Sequence, residues 1–336
     1  MRKNLLAFAI AAAIAFTSAY LFGAPQVSSL AQVLVEEGYT PISLKRAANH
    51  FYVQCKLNGR PTRLIVDTGA GGTVVASGAL RSLGVSLTER QGNVYGFLGL
   101  AAKSIKVGEI KGFEVGPYQA GTHPVGAWDF SYHIFPGGSG MEGLLGIDFL
   151  HRHQAVIDCF RMHLFLKSPS APSSSAALSA GLKAGGCTEI PMQYIAYRGL
   201  TVPVKINGRS GYFVIDTGMT HTILNQQSIA GLNMSLASAA RLGRRGWAIQ
   251  DVGRNVRNVQ ITQFTTMQIG NFGVPSQWVL VADMPYSKEG RMDNVFFGYL
   301  GQDLLACYVG IIDCAALRLF LRFDPVIDAA RRRTGL

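Results

Sequence analysis

The feature that most constrains the fold is an internal repeat, because a chain that carries one pattern twice folds into two similar units. The first copy reads FYVQCKLNGRPTRLIVDTGAGGTVV (51–75), and the second reads LTVPVKINGRSGYFVIDTGMTHTIL (200–224). Each copy holds Asn-Gly-Arg, then an apolar run, then Asp-Thr-Gly, and the copies are 149 residues apart. The repeat therefore predicts two similar lobes within one chain.

A second pair of matching segments extends the repeat toward the end of each lobe. These segments read LLGIDFLHRHQAVIDCFRMHLFL (144–166) and YLGQDLLACYVGIIDCAALRLFL (299–321). Between the two lobes, residues 169–188 are rich in Ser, Ala, Pro and Gly and lack a sustained apolar period, which predicts a linker. The resulting boundaries are a first lobe at 44–168, a second lobe at 189–325 and a basic tail at 326–336.

Local patterns indicate that both lobes are built from strands. Asn-Gly lies between two alternating runs in each copy, at 58–59 and 207–208, and this pairing predicts a two-residue hairpin turn. The chain has 39 glycines and 18 phenylalanines, and only 15% of its residues are charged. This composition favours short strands and turns, so we expect an all-β fold.

An aspartate directly follows the apolar strand in each copy, at Asp67 and Asp216. A buried carboxylate is costly unless it is hydrogen-bonded, and the glycines that follow permit a tight turn whose N–H groups reach the acid. One such acid is typical of an Asx-type turn at a strand end. Two of them, related by a pseudo-twofold axis, would lie close together and could not both ionise easily. We therefore expect the two carboxyls to share a proton.

These motifs resemble those of the retropepsin-like aspartic proteases, of the bacterial type in which two Asp-Thr-Gly lobes are fused. The Asp-Thr-Gly signature occupies residues 64–70 and 213–219. The family's second signature, two apolar residues and a glycine on a strand that threads behind the catalytic loop, matches the following residues: Leu144, Leu145, Gly146, Tyr299, Leu300 and Gly301. The resemblance implies a bilobal, aspartic-protease-like barrel fold with a central cleft.

The resemblance also implies a role for each matching residue. Asp67 and Asp216 would activate one water molecule between them, without a metal or another cofactor. Thr68 and Thr217 would hydrogen-bond across the lobe interface, and Gly69 and Gly218 would supply the turn and its N–H donors. Because one chain holds both half-sites, we expect a monomer that acts on a peptide or protein substrate.

Two places depart from the family pattern or fit it loosely. Met219 stands where the pattern has alanine, and a thioether at that position could reshape one side of the acid pair. The glycine-rich segment at 92–105 is the best candidate for the flap over the substrate, with Tyr95 or Phe97 above the acids. The corresponding segment of the second lobe, residues 247–252, matches more weakly.

The N-terminus predicts export. Two basic residues precede an apolar stretch at residues 5–24, and Ala19 ends a small-x-small cleavage pattern. Residues 1–24 are thus a cleaved signal or, if retained, a membrane tether. We expect a protein of the periplasm or one anchored on the outer face of the inner membrane, with residues 25–43 as a leader that occupies the cleft or as a tether.

Several other functions are disfavoured. The net charge of +11 is spread along the chain, unlike the footprint of a nucleic-acid-binding protein. The five cysteines have no neighbouring histidine that would indicate a cysteine protease. His151, His153 and His163 suggest a surface helix rather than a metal site, and Asp148 and Asp303 suggest helix N-caps.

Two function classes remain open from the sequence. The first is an aspartic endopeptidase that hydrolyses peptide bonds with water activated between two carboxyls. The second is a non-catalytic peptide-binding module that keeps a protease-like cleft. Both acids are present in full Asp-Thr-Gly triplets, which favours the endopeptidase.

Overall fold

The computed structural model describes residues 27–47, 50–96, 98–129, 141–172, 175–195, 199–238, 248–250, 256–284 and 295–334. The described chain forms two β-rich lobes, and a six-stranded sheet with strands from both lobes joins them. This arrangement confirms the predicted two-lobed, β-rich fold. The export segment at residues 5–24 lies outside the described residues. Within the described part, no helix is both long enough and apolar enough to cross a membrane.

The first half of the chain contains helices α1 to α3 and strands β1 to β11. In chain order they are α1 (Val27–Glu36), β1 (Thr40–Ser43), β2 (Lys45–Ala47), β3 (His50–Leu57), β4 (Arg60–Val66), β5 (Val74–Ala76), α2 (Ser77–Ser82), β6 (Thr88–Gly96), β7 (Gly99–Val115), β8 (Tyr118–Trp128), β9 (Gly143–Leu145), α3 (Ile147–Arg152), β10 (Val156–Asp158) and β11 (His163–Leu166). The sheet of lobe one has the order β2-β3-β4-β9-β5-β8-β7-β6.

The second half repeats this plan. Its elements are α4 (Ser175–Ala184), β12 (Thr188–Pro191), β13 (Gln193–Ile195), β14 (Gly199–Ile206), β15 (Arg209–Ile215), β16 (Ile223–Asn225), α5 (Gln226–Ile229), a 3-10 turn (Ala230–Leu232), β17 (Ala237–Ser238), β18 (Ala248–Gln250), β19 (Val256–Asn258), β20 (Gln260–Gln263), β21 (Met267–Ile269), β22 (Phe272–Val274), β23 (Trp278–Ala282), β24 (Phe296–Leu300), α6 (Gln302–Cys307), β25 (Ile311–Asp313), β26 (Arg318–Leu321) and α7 (Pro325–Thr334). The sheet of lobe two has the order β17-β20-β23-β16-β24-β15-β14-β21-β22, and β13 pairs with β14.

The Asn-Gly pairs form the turns that the sequence predicts. Asn58 has φ 48° and Gly59 has φ 84°, and the equivalent pair, Asn207 and Gly208, has φ values of 47° and 85°. Positive φ at both residues is the geometry of a type I′ turn, which matches the twist of the strands it joins. Each turn therefore sets the register of the hairpin, β3–β4 or β14–β15, whose second strand ends at an aspartate.

The six-stranded sheet that joins the lobes has the order β1-β11-β10-β25-β26-β12. At its centre, β10 of lobe one pairs antiparallel with β25 of lobe two, and Ile157 lies opposite Ile312. These isoleucines are counterparts in the repeat, so the pseudo-twofold axis passes between them. The sheet holds the two lobes together by backbone hydrogen bonds on this axis.

The segment at 25–43, expected as a leader or a tether, contributes to the interlobe sheet instead. Strand β1 pairs with β11, and helix α1 packs on one face of the sheet. Leu34 of α1 is fully buried in a cluster with Phe165 and Phe320 from the sheet. The described part of this segment, from residue 27 onward, is thus a structural component of the fold.

The expected linker and tail also contain regular structure. Within residues 169–188, helix α4 packs Leu178 and Leu182 into the same cluster as α1. In the tail, helix α7 turns Ile327 toward the main core and buries Asp328. Runs of Ser and Ala look like a flexible linker in sequence, but here a few leucines at helical spacing are enough to dock a helix.

If α1 is part of the fold, Leu34→Ala should lower the free energy of unfolding by about 2–5 kcal/mol, as expected for a truncated core leucine. Urea unfolding followed by circular dichroism measures this loss. The matched control is Val35→Ala on the same helix, because Val35 is 49% exposed. The control should change the stability by no more than about 0.5 kcal/mol. Equal, small effects of both substitutions would show that α1 is a tether.

The expectation of a surface helix at residues 151–153 is wrong for one of its histidines. His153 lies just after α3 and is 1% exposed, as is His123 on β8. The Tyr118 hydroxyl lies 2.8 Å from His153 Nδ1, and the rings of His123 and His153 are 6.3 Å apart. The core of lobe one therefore contains a buried pair of histidines, which polar contacts and aromatic packing hold in place.

The pKa of His153 makes the stability of this core dependent on pH. Burial, with a smaller contribution from the nearby His123 and Arg152, lowers this pKa to about 4. The unfolded chain, with an ordinary histidine pKa of about 6.5, therefore binds a proton more readily than the folded chain. This contribution to stability is intact above pH 6.5 and is lost as the pH falls from about 6.5 toward 4.

We therefore expect His153→Phe to flatten the acid side of the stability curve. Phenylalanine keeps the aromatic packing, and the Tyr118 hydroxyl still donates to the Lys167 carbonyl at 3.1 Å. Thermal unfolding between pH 4 and pH 7 should show a smaller fall in Tm for this variant than for the wild type. The exposed neighbour provides the control, since His151→Phe should leave the slope unchanged. An unchanged slope in His153→Phe would refute this assignment.

Candidate active site

Two parallel strand pairs bring the predicted acids to the lobe interface. Strand β4 ends at Val66 and pairs with β9, and β15 ends at Ile215 and pairs with β24. The Asp67 N–H donates to the Leu145 carbonyl and the Asp216 N–H donates to the Leu300 carbonyl, both at 3.0 Å. The second motif thus lies beside each acid as the resemblance implies. Its members are Leu144 and Leu145 on β9, Tyr299 and Leu300 on β24, and Gly146 and Gly301 directly after these strands.

The two glycines of the second motif are required by close packing. A Cβ on Gly146 would lie 2.4 Å from the Gly72 carbonyl group, and one on Gly301 would lie 2.5 Å from the His221 carbonyl carbon. No side chain fits at such distances. Each strand can therefore pass directly beneath the loop that follows its Asp-Thr-Gly triplet.

The threonines of the two triplets form a reciprocal set of hydrogen bonds across the lobe interface. The Thr68 hydroxyl donates to the Ile215 carbonyl at 2.8 Å and accepts from the Thr217 N–H at 3.1 Å. The Thr217 hydroxyl donates to the Val66 carbonyl at 2.7 Å and accepts from the Thr68 N–H at 3.0 Å. Both side chains are fully buried. These four bonds fix the positions of the two Asp-Thr-Gly loops relative to each other.

The two carboxyls lie against each other's loops. A Cβ on Gly69 would be 2.3 Å from Asp216 Oδ2, and one on Gly218 would be 2.5 Å from Asp67 Cγ. The carboxyls hydrogen-bond to each other, as they can only when one of them is protonated. Each also accepts backbone N–H bonds within its own turn. These come from Gly69 and Ala70 to Asp67 at 2.9 and 3.0 Å, and from Met219 to Asp216 at 3.0 Å.

The environment assigns the shared proton to Asp216. Burial raises the pKa of Asp216, and the negative charge of Asp67 raises it further, so this pKa lies well above its ordinary value. Burial also raises the pKa of Asp67, but the two backbone N–H bonds and the bond from Asp216 oppose that rise. Asp216 is only 7% exposed, whereas Asp67 is half-buried. Asp67 is therefore the carboxyl that ionises first.

The predicted flap is a hairpin of lobe one, β6–β7, whose tip crosses to lobe two. Tyr95 lies on β6 opposite Leu100 of β7, and Phe97 lies outside the described residues. Leu98 at the tip is 1% exposed and packs in an apolar cluster with Met219 and Ile223 of lobe two. The other buried members are Val259, Ile261, Leu280, Ala282 and Met284. We call this set the lobe-two cluster.

The lobe-two cluster gives Met219 a packing role that the sequence left open. Met219 follows the second triplet directly, donates its N–H to Asp216 and packs in the same apolar cluster as the tip of the hairpin. The weaker flap candidate of lobe two falls partly outside the described residues, since of residues 247–252 only β18 is described. Ile249 of β18 packs against the same cluster. Sequence reasoning missed Leu98, although it is an apolar residue near the tip of a glycine-rich hairpin.

Three polar residues that support the loops were missed or misassigned. Asp148 and Asp303 are not N-caps, because Gly146 and Gly301 occupy the N-cap positions of α3 and α6. Each aspartate instead accepts a threonine hydroxyl from the loop of its own lobe, from Thr73 at 2.8 Å and from Thr222 at 2.7 Å. The third residue, Gln302, donates its side-chain amide to the Thr217 carbonyl.

The site has no donor set for a metal among its described residues. No group of three or more His, Cys, Asp or Glu side chains within the described ranges could hold a metal ion. His123 approaches Asp148 at 3.4 Å, but these side chains and His153 do not converge on one point.

Comparison with known proteins finds a match to an aspartyl protease family model in each lobe. Residues 53–152 match the family model described as "gag-polyprotein putative aspartyl protease", and residues 202–304 match the model described as "Aspartyl protease". DNA damage-inducible protein 1 of Kluyveromyces lactis is 32% identical over 121 residues. That match covers 36% of this chain and 27% of the relative, so it spans about a quarter of the relative's length.

A solved structure to which the chain is similar is that of an aspartic proteinase from Irpex lacteus. It has a TM-score of 0.48 and 13% sequence identity, and the match covers 87% of this chain and 99% of that chain. The family models match at the residues that the geometry brings together, one model in each lobe. The chain belongs to the retropepsin-like aspartyl protease family, with one family domain in each lobe.

Proposed function

We propose that the chain is an aspartic endopeptidase, which hydrolyses peptide bonds in peptide or protein substrates. The observation that supports this best is the carboxyl pair at the lobe interface. Asp67 and Asp216 hydrogen-bond to each other, and backbone N–H groups and the threonine bonds hold them in place. Family membership of both lobes points to the same activity.

The proposed mechanism assigns a different role to each acid. Ionised Asp67 takes a proton from a water molecule, and protonated Asp216 donates its proton to the oxygen of the scissile carbonyl. The water oxygen bonds to the carbonyl carbon, which gives a neutral tetrahedral diol and leaves the proton count of the pair unchanged. Asp67, now protonated, then donates this proton to the leaving nitrogen, and ionised Asp216 takes a proton from one diol hydroxyl. The C–N bond breaks, the carboxylic acid and the amine leave, and the pair returns to its starting state. No covalent bond to the protein forms at any step.

The alternative is a non-catalytic peptide-binding module. The buried tip of the β6–β7 hairpin favours this alternative, because Leu98 already occupies an apolar site beside Met219. A substrate that reaches the acids would have to displace this tip or pass beneath it. A statine-type transition-state mimic separates the two functions, since an enzyme binds it and cleaves denatured protein, whereas a binding module does not cleave.

Assembly and location are part of the proposal. One chain contains both half-sites, so a monomer suffices for activity and specific activity should be independent of concentration. The apolar segment at residues 5–24 supports export to the periplasm, either in free form or with a tether to the inner membrane. The positive charge of the chain is spread evenly along its length, which supports a peptide or protein substrate rather than a nucleic acid.

We expect Asp67→Asn and Asp216→Asn each to lower kcat/KM by roughly a thousandfold or more, with the double variant hardly lower. Residues that act as one unit give such non-additive losses. Cleavage of a peptide library by the four proteins, over a pH series, measures the effect. In the wild type, loss of the Asp216 proton should set the alkaline limb, at a pH well above 3.8, the ordinary aspartate pKa.

Folding provides the control for these variants. Asparagine is nearly isosteric and uncharged, so each single variant should unfold at a temperature close to that of the wild type. Either single variant with near-wild-type turnover would rule out the paired mechanism. Tight binding of the mimic by a wild type that cleaves nothing in the library would favour the binding module.

Thr68→Val should destabilise the protein by about 2–4 kcal/mol, because it leaves the Ile215 carbonyl and the Thr217 N–H buried without a partner. Valine has nearly the shape of threonine, so no cavity confuses the result. Thr68→Ser keeps the hydroxyl and should cost only about 1 kcal/mol for the lost methyl group. Chemical denaturation compares the two variants. Equal losses in both would mean that the interlobe bonds contribute little.

A further inference from the structure

Gln302 binds the second Asp-Thr-Gly loop at two points. It is the first residue of α6, directly after the second motif, and its backbone N–H donates to the Met219 carbonyl at 2.9 Å. Its side-chain amide donates to the Thr217 carbonyl. A carbonyl oxygen can only accept a hydrogen bond, so the nitrogen of the amide is the atom that faces it. Gln302 therefore spans the loop from the second residue of the triplet to the residue that follows the triplet.

The repeat shows that the side-chain bond belongs to lobe two alone. The counterpart of Gln302 in lobe one is Ile147, the first residue of α3, whose N–H donates to the Ala70 carbonyl at 2.9 Å. The backbone bond is thus the same in both lobes. The Ile147 side chain is 2% exposed, packs in the main hydrophobic core and has no group that can donate. The amide bond is therefore a property of the loop that carries Asp216.

A glutamine at this buried position carries a cost in free energy. Gln302 is 3% exposed, and its side-chain oxygen, Oε1, is buried without a hydrogen-bond partner among the described residues. A buried polar atom without a partner costs about 1–3 kcal/mol. Because Ile147 fills the equivalent position of lobe one without that cost, packing alone does not require a glutamine. What the glutamine adds is the bond to the triplet.

The loop that Gln302 binds lies against both carboxyls. Within this loop, the Met219 N–H donates to Asp216 Oδ1 at 3.0 Å. Gly218 packs so closely on the other acid that a Cβ would lie 2.5 Å from Asp67 Cγ. The amide of Gln302 holds the carbonyl of the peptide bond that precedes Gly218, so this peptide cannot turn without breaking the bond. Such a turn would shift the loop against Asp67 and loosen the bond from Met219 to Asp216.

We propose that Gln302 is a positioning residue, which holds the second Asp-Thr-Gly loop in place against the two carboxyls. The proposal rests on the proposed function, since it assigns Gln302 to the same pair of acids. Misplacement of a reacting group by about 1 Å can lower the rate about a hundredfold. Because the loop contacts the acids, loss of the amide bond should affect the chemical step more than substrate binding.

The test compares Gln302→Met with Gln302→Glu. Methionine has nearly the length of glutamine but no donor, whereas a protonated glutamate can donate its O–H to the Thr217 carbonyl. Burial favours the protonated form of that glutamate at mildly acidic pH. We expect Gln302→Met to lower kcat by about tenfold to a hundredfold with little change in KM. Gln302→Glu should restore most of this loss at mildly acidic pH and lose activity as its new carboxyl ionises.

The matched control is Gln154→Met, which removes a similar buried amide from lobe one. Gln154 is 8% exposed, and its amide donates to the carbonyls of Ser168 and Ala171 at 3.0 and 2.9 Å. Its Oε1 is also buried without a partner within the described ranges, but neither amide bond reaches a triplet. This control should keep the wild-type kcat, and thermal unfolding shows whether each variant is folded. If Gln302→Met fails to fold, Gln302→Ile replaces it, because lobe one carries isoleucine at this position.

A second readout does not depend on activity. Carbon-13 NMR of labelled aspartate follows the carboxyls with pH, and a looser Met219 N–H bond should raise the apparent pKa of the protonated carboxyl in Gln302→Met but not in Gln154→Met. Wild-type kcat and an unchanged carboxyl titration in the variant without a donor would overturn the proposal. A glutamate variant no more active than Gln302→Met at any pH would overturn it as well. A wild type without peptidase activity would refute the proposed function, and the NMR titration would then decide the role of Gln302.

Discussion

The structure depends on the cost of placing two carboxyls in one buried site. Two carboxylates in contact repel each other, and burial adds the loss of hydration, so the site is stable only if one carboxyl keeps its proton. Backbone N–H bonds from each turn offset part of this cost. The remaining requirement is mechanical, because the two loops belong to different lobes and must not separate. The reciprocal bonds of Thr68 and Thr217 meet that requirement at the point of contact.

The pseudo-twofold axis is held at two places along its length. One is the threonine pair, and the other is the antiparallel pair of β10 and β25, where Ile157 lies opposite Ile312. The repeat builds the machinery twice, but single residues make the lobes different. Leu98 sends the tip of the lobe-one hairpin into lobe two, and Met219 follows the second triplet where Ala70 follows the first. Such differences allow two equivalent acids to hold unequal shares of one proton.

The sequence predicts the parts of this fold that short patterns encode. Asn58-Gly59 and Asn207-Gly208 specify their turns through positive φ, and the repeated Asp-Thr-Gly and Leu-Gly motifs specify which strands end at the acids. Burial from distant contacts is less visible. His153 follows a charged, polar run but is buried against β8, and α4 forms in a segment that reads as a linker because α1, far away in sequence, supplies its packing partner. Leu98 was missed for the same reason, since the residues it packs with belong to the other lobe.

The central claim is that Asp67 and Asp216 hold one proton between them, with Asp216 as its owner. The pH titration of carbon-13-labelled aspartate in the wild type and in Asp216→Asn tests this claim most directly. In the wild type, one aspartate signal should remain at the protonated position well above pH 3.8, the ordinary pKa, and Asp216→Asn should remove that signal. Two aspartates that titrate independently, both near the ordinary pKa, would contradict the claim.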